Sequence, residues 1–134
     1  MSNATNGVRI KAWAGPNVGY GVVNNVTYTD FTAINIDWPI IIDQCYATSA
    51  AECARVPSRV NITNVHIARV AGSSSGKRKS VVASLKCSKG GECLNITLDD
   101  VSVEPPVKYR PATYVCENLE VGGNAKDLFN CIST

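Results

Sequence analysis

The stretch VNITNVHIARVAG, residues 60–72, decides the fold, because two similar stretches occur elsewhere in the chain. NNVTYTDFTAIN begins at residue 24 and LNITLDDVSVE at residue 94. Each combines an asparagine, β-branched residues and threonine with alternating apolar positions, which is typical of a strand. With Asn25, Asn61 and Asn95 taken as equivalent, the copies are 36 and 34 residues apart. This spacing predicts an internal structural repeat.

A second strand accompanies each copy of the repeat. The candidates are VRIKAW from residue 8, PIIIDQCY from residue 39 and SVVASLKC from residue 80. No segment shows helical periodicity over 11 or more residues, so we expect an all-β protein. A sandwich would need tight Asn-Gly or Asp-Gly hairpins, which are missing between these strands. The repeat therefore favours a parallel β-helix, in which equivalent strands of successive repeats stack.

At 134 residues the chain is long enough for one core. We expect β-helix coils over residues 1–110 and a C-terminal cap over 111–134. The stretch EPPVKYRPATYVCENLEVGG, residues 104–123, is predicted to break the strand pattern. The N terminus begins almost directly on a strand and shows no signal peptide. The expectation is a piece of a longer protein without its N-terminal coils, which self-associates through the open end when isolated.

The cysteines and glycosylation motifs indicate a secreted protein. Six cysteines allow 15 connectivities, but their positions fall into near pairs that favour sequential bridges. These are Cys45–Cys53, Cys87–Cys93 and Cys116–Cys131. Asn-x-Ser/Thr motifs occur at Asn3, Asn25, Asn61 and Asn95. Disulfides together with glycosylation motifs are typical of extracellular proteins.

Charge and hydropathy argue against several partners. The net charge is +2, and the one dense basic cluster, GKRKS at residues 76–80, has Gly and Ser flanks typical of an exposed turn. We therefore expect no nucleic-acid partner. No apolar run approaches the roughly 18 residues that cross a bilayer, and His66 as the single histidine disfavours zinc. Neither a membrane nor a cofactor is expected.

Arg9 and Lys11 are the strongest candidates for a binding site. Strand alternation directs Val8 and Ile10 to the core and the two cations to the other face. Tyr46 follows Lys11 by 35 residues, one repeat interval, so it should lie in the adjacent coil near these cations. A guanidinium, an ammonium and a phenol on one surface suit the carboxylate of an acidic sugar.

These residues carry a resemblance to a known family. NGVRIKAW, followed one coil later by IIIDQCY, by SLKCSKGGEC and by a terminal cysteine pair, resembles the C-terminal part of family 28 glycoside hydrolases, the polygalacturonases. The resemblance implies a right-handed parallel β-helix, secretion, a monomeric full-length enzyme and inverting hydrolysis of α-1,4 galacturonosyl linkages in pectin. It also assigns substrate binding to Arg9, Lys11 and Tyr46. The stretches VGYGVVNNVTY and QCYATSAAEC resemble exo-acting members.

The family's catalytic acids are not found in these 134 residues. They lie in an Asn-Thr-Asp motif and an Asp-Asp pair, followed by Gly-His-Gly, all before Arg-Ile-Lys. Inverting hydrolysis requires both a carboxylic acid and a carboxylate base. Asp43, the adjacent pair Asp99 and Asp100, and His66 are better explained as structural residues. Sugar stacking by Trp13 or Trp38 is less favoured than a structural role at a strand end.

Three hypotheses follow from the sequence. The first is the C-terminal part of a secreted polygalacturonase, preferentially exo-acting, which binds substrate but is inactive alone. The second is a non-catalytic pectin-binding module that uses the same three side chains. The third is a purely structural solenoid, which gives no reason for two cations one repeat away from a tyrosine.

Overall fold

In a computed structural model, residues 4–12, 14, 19–90 and 92–133 are described. The strands are β1 (Asn6–Lys11), β2 (Gly21–Ile36), β3 (Trp38–Asp43), β4 (Val60–Ser74), β5 (Val81–Lys86), β6 (Cys93–Glu104), β7 (Thr113–Glu117), β8 (Val121–Gly122) and β9 (Phe129–Ile132). A short helix, α1 (Ala50–Arg55), follows β3, and 3-10 turns occupy Val107–Tyr109 and Lys126–Leu128.

The strands form two parallel sheets in which sequence neighbours never pair. One sheet has the order β1-β3-β5-β7-β9 and the other the order β2-β4-β6-β8. Each strand therefore stacks on its equivalent from the preceding coil, which is the arrangement of a β-helix. The predicted fold, a right-handed parallel β-helix, is confirmed.

Alternation along the strands fills the interior. Val8 and Ile10 of β1 are buried, and Ile40 and Ile42 are aligned with them on β3. Leu85 of β5 is aligned in turn with Ile42, which gives a continuous apolar column. Because every second residue points inward, the residues between them form the outer surface of this sheet.

Left-handed backbone at aligned positions turns the long strands. Asn25, Asn64 and Asn95 have φ values of 58°, 55° and 55°, and the register stacks them in consecutive coils. Asparagine tolerates this conformation better than most residues. The Asn95 side chain donates to Asn64 Oδ1 at 2.7 Å. The predicted equivalence of Asn61 with Asn25 and Asn95 is wrong, because Asn61 aligns with Val22.

The corrected spacing between aligned positions is 39 residues for the first pair of coils and 31 for the second. The internal repeat therefore exists with unequal coil lengths. The extra residues of the longer coil lie in the segment between β3 and β4, which contains α1. Helix α1 was not expected, although Ser49 and Glu52 form a capping motif: the Glu52 N–H donates to Ser49 Oγ at 3.1 Å.

The segment 111–134 also differs from the expected break in the strand pattern. Its described residues contribute β7, β8 and β9, which extend both sheets rather than interrupt them. The six cysteines form the three predicted sequential bridges. Within the described part of the chain, no helix has the length and apolar character needed to cross a membrane.

Candidate functional site

Strand β1 presents two cations on the outer face of its sheet. Val8 and Ile10 are 1% and 6% exposed, whereas Arg9 is half-buried and Lys11 is exposed. The predicted division of the strand into a core face and a cationic face is confirmed. Lys11 is aligned with Asp43 on β3, which places the end of β1 beside the end of β3.

Backbone hydrogen bonds hold Tyr46 next to these cations. The Ala12 N–H donates to the Asp43 carbonyl at 2.8 Å, and the Tyr46 N–H donates to the Ala12 carbonyl at 3.1 Å. The turn after β3 is thus attached to the residue that follows Lys11. Lys11 Nζ lies 4.4 Å and Arg9 Cζ 5.1 Å from the centroid of the Tyr46 ring. Both distances are within the range of cation–π attraction.

The buried Gln44 fixes the same turn from the inside. Its Nε2 donates to the carbonyls of Val60 and Glu92 at 2.9 and 3.0 Å. Its Oε1 accepts hydrogen bonds from the N–H and hydroxyl of Ser88 at 2.9 and 3.2 Å. Because this side chain is 0% exposed and joins three segments, it leaves little freedom for the neighbouring Tyr46.

A groove of about 420 Å³ lies over this surface. Outward side chains of β1 and β3 form its floor, and Tyr46 lies at the end where both strands terminate. Trp38, the first residue of β3, and Arg78, from the turn before β5, lie toward the opposite end. The complete lining is Thr5, Asn6, Arg9, Ile10, Lys11, Trp38, Ile41, Asp43, Tyr46, Ala47 and Arg78.

The charge of the groove is predominantly positive. Arg9, Lys11 and Arg78 contribute three cations, and Asp43 is the one carboxylate among the lining residues. Asp43 Oδ1 accepts a hydrogen bond from the Cys45 N–H at 2.8 Å, which stabilises the turn that carries Tyr46. The groove can therefore attract and orient anions, as expected from Arg9 and Lys11.

Sequence reasoning missed Arg78. The GKRKS segment is an exposed turn, as predicted, but the Arg78 side chain extends over Trp38, with Cζ 4.8 Å from the ring centroid. Trp38 is half-buried at the strand end, and its ring lines the groove. The available signal was weak, because 40 residues separate the two side chains and only the stacking of coils brings them together. Trp13 lies outside the described residues.

The remaining candidates for acid chemistry lie on the other sheet. His66 of β4 contacts Asp99 of β6, with Nε2 and Oδ2 2.9 Å apart. The hydrogen bond from the Asn124 N–H and the contact with His66 lower the pKa of the Asp99 carboxyl. Asp100 accepts from the Asn124 side chain at 2.9 Å. These groups attach the C-terminal segment to β6, and none of them lines the groove described above.

The glycosylation motifs occupy different surroundings. Asn25 and Asn95 are exposed at a corner of the coils, and Asn61 is half-buried on β4. Asn3 lies outside the described residues. Among the described residues, no three His, Cys, Asp or Glu side chains gather as a potential metal site.

Comparisons with known proteins identify the family of this chain. A sequence model of glycosyl hydrolases family 28 matches residues 1–125. The chain belongs to this family. It is 49% identical over 123 residues to exopolygalacturonase B of Aspergillus niger, an alignment that covers 91% of this chain and 28% of that protein. It is 47% identical over 121 residues to a probable exopolygalacturonase B of Neosartorya fischeri, covering 90% and 26%.

The chain thus spans less than a third of the length of these curated relatives. A solved structure supports the fold of the family 28 segment. The crystal structure of an endo-xylogalacturonan hydrolase from Aspergillus tubingensis matches 99% of this chain and 38% of its own, with a TM-score of 0.74 and 23% sequence identity.

Proposed function

We propose that this chain binds the carboxylates of galacturonan through Arg9, Lys11 and Tyr46, as the substrate-binding part of a secreted pectin-degrading hydrolase. The observation that carries the proposal is the convergence of both cations on one tyrosine ring in a positively charged groove. Arg9 offers a planar fork for a carboxylate and Lys11 a compact charge. The Tyr46 ring supplies an apolar surface against which a sugar can pack.

Family membership and the names of the relatives support galacturonan as the proposed substrate. Family 28 is a family of glycosyl hydrolases, and relatives that are 49% identical to this chain over 123 aligned residues are named exopolygalacturonases. Exo-action is accordingly the mode proposed here. Three disulfides support an extracellular location, because such bridges persist in oxidising compartments.

The same proposal assigns binding, without cleavage, to these 134 residues. Inverting hydrolysis requires two carboxyl groups separated by roughly 6.5–9.5 Å. Asp43 is the one carboxylate that lines the described groove, and one of its oxygens already accepts the Cys45 N–H. The acid and base would then come from coils outside residues 1–110, with residues 111–134 at the C-terminal end of the stack.

Calorimetric titration of the chain with trigalacturonate tests the proposal. We expect salt-sensitive binding that an Arg9→Ala, Lys11→Ala double variant abolishes, because surface charges are screened by salt. The trimethyl ester of trigalacturonate should bind far more weakly, since its carboxylates are neutralised. Arg59→Ala is a matched control: Arg59 also stacks on an aromatic ring, that of Tyr20, but does not line the groove.

Two results would contradict the proposal. Equal binding by the double variant would remove Arg9 and Lys11 from the site. Release of reducing ends by this chain from polygalacturonate, abolished in the double variant, would show that Asp43 or another carboxylate here performs the chemistry.

A further inference from the structure

A second cation and aromatic pair faces Tyr46 across the groove. Trp38 is aligned with Asn6 at the start of β1, whereas Asp43 is aligned with Lys11 at its end. Asn6 and Lys11 are five residues apart along β1, which corresponds to roughly 17 Å at about 3.3 Å per residue. The Arg78 guanidinium lies over the Trp38 ring at one end of the groove, and the Lys11 ammonium lies over the Tyr46 ring at the other.

The turn that carries Arg78 is well anchored. The Lys79 N–H donates to the Gly76 carbonyl at 2.9 Å, and the Val81 N–H donates to the Arg78 carbonyl at 3.1 Å. Ser75 Oγ donates to Asp37 Oδ1 at 2.6 Å, which attaches the turn to the preceding coil. Arg78 therefore projects from a fixed backbone, which reduces the entropy lost when its side chain binds a ligand.

The charge of Arg78 also differs from that of its neighbour in the turn. Lys77 Nζ lies 3.7 Å from Asp37 Oδ2, so a carboxylate partly neutralises this lysine. Within the part of the chain that the structure describes, no carboxylate lies within salt-bridge distance of the Arg78 guanidinium. The Arg78 side chain is exposed, and its cation–π contact with Trp38 does not use the carboxylate-binding geometry of the guanidinium, so its N–H groups are available for an anion.

We propose that Arg78, supported by Trp38, binds a second carboxylate of the same oligogalacturonate whose first carboxylate contacts Arg9 and Lys11. This inference rests on the proposed function. Arg78 lies over Trp38 at one end of the groove, whereas Lys11 lies over Tyr46 at the other end, so one carboxylate does not reach both. The ligand is consequently an acidic oligosaccharide long enough to span the groove, and Arg78 contributes to chain-length preference.

The test compares ligands of different length in calorimetric titrations of the chain. Galacturonic acid, digalacturonate and trigalacturonate are titrated into unaltered protein, Arg78→Ala, Arg78→Lys and the matched control Arg59→Ala. We expect Arg78→Ala to weaken trigalacturonate binding by about tenfold or more, as for loss of a charge-assisted hydrogen bond. Galacturonic acid binding should be unchanged, and Arg78→Lys should recover only part of the loss.

Tryptophan fluorescence gives an independent readout. The chain has two tryptophans, so Trp13→Phe leaves Trp38 as the single tryptophan, which can be excited selectively beside the five tyrosines. Saturating trigalacturonate should change the Trp38 emission, and saturating galacturonic acid should not. In the Trp13→Phe, Arg78→Ala double variant, saturating trigalacturonate should change the Trp38 emission less.

The outcomes separate this inference from the proposed function. If Arg78→Ala leaves all three affinities unchanged, or lowers all three by the same factor, the second-carboxylate site is refuted while galacturonan binding stands. If the unaltered chain binds none of the ligands, the proposed function fails and the inference fails with it.

Discussion

Replacement of Gln44 tests how the fold supports the site. The side chain is 0% exposed and makes four hydrogen bonds, two as donor and two as acceptor. At a net contribution of about 1 kcal/mol each, Gln44→Ala should lower the free energy of unfolding by about 4 kcal/mol. That is a large share of the roughly 5–15 kcal/mol that stabilises a typical domain.

A second substitution at this position separates the donors from the acceptors. Gln44→Glu preserves the volume and the acceptor side but cannot donate from a carboxylate to Val60 and Glu92, so we expect a loss of at least about 2 kcal/mol. Asn130→Ala, on exposed strand β9, is the control and should change stability by no more than about 0.5 kcal/mol.

Guanidinium unfolding with intact disulfides, followed by circular dichroism, provides the free energies. If both Gln44 variants unfold within about 1 kcal/mol of the unaltered chain, the hydrogen bonds do not stabilise the turn and the reasoning is refuted. Because Gln44 is two residues from Tyr46, a loosened turn should also weaken trigalacturonate binding in any variant that remains folded.

Three further predictions concern the stack. The pKa of the Asp99 carboxyl is lowered from 3.8 in the folded protein. The ionised carboxyl therefore stabilises the fold above pH 3.8, and this stabilisation is lost as the pH falls through the lowered pKa. The effect of Asp99→Ala on the thermal midpoint should consequently shrink in acid. A Cβ on Gly72, with φ of 130°, would clash with the Ala33 carbonyl oxygen, so Gly72→Ala should cost at least about 3 kcal/mol in unfolding free energy. Replacing Cys116 and Cys131 by Ser opens a bridge between residues 15 apart and should cost about 3 kcal/mol in the same assay.

Each of these predictions has a control. Gly19→Ala should be nearly neutral, because among the described residues no heavy atom beyond its chain neighbours lies within 4 Å of the added Cβ. Asp127→Ala, at an exposed position, provides the comparison for Asp99. The Asp99 argument is contradicted if the effect of Asp99→Ala on the thermal midpoint is constant across the acid range. The Gly72 argument is contradicted if Gly72→Ala is as stable as Gly19→Ala. The disulfide argument is contradicted if the unfolding midpoint is unchanged after loss of the Cys116–Cys131 bridge.

Local sequence patterns were sufficient to predict the fold and the end of the groove that contains Tyr46. Alternation along β1 predicted the buried Val8 and Ile10 and the outward Arg9 and Lys11, because a strand has a fixed period of two. The 35 residues between Lys11 and Tyr46, taken as one repeat interval, predicted that Tyr46 lies near these cations. That placement succeeded since β1 and β3 are neighbours in the stack.

Long-range details were not encoded in those patterns. Asn61 shares its Asn-Ile-Thr motif with Asn95, yet the corner requires the left-handed backbone that Asn64 adopts three residues later. The local sequence of Arg78 is that of any solvated turn. Its position over Trp38 depends on the way in which the turn before β5 folds against the preceding coil.

The central claim is that galacturonan binds in the groove of Arg9, Lys11 and Tyr46. The most direct measurement is a heteronuclear NMR titration of the isotope-labelled chain with trigalacturonate, which reports on each side chain separately. The account predicts the largest shifts for the Arg9 guanidinium, the Lys11 ammonium and the Tyr46 ring. Shifts centred instead on the neighbouring groove, which Lys86 and Lys89 line, would contradict it.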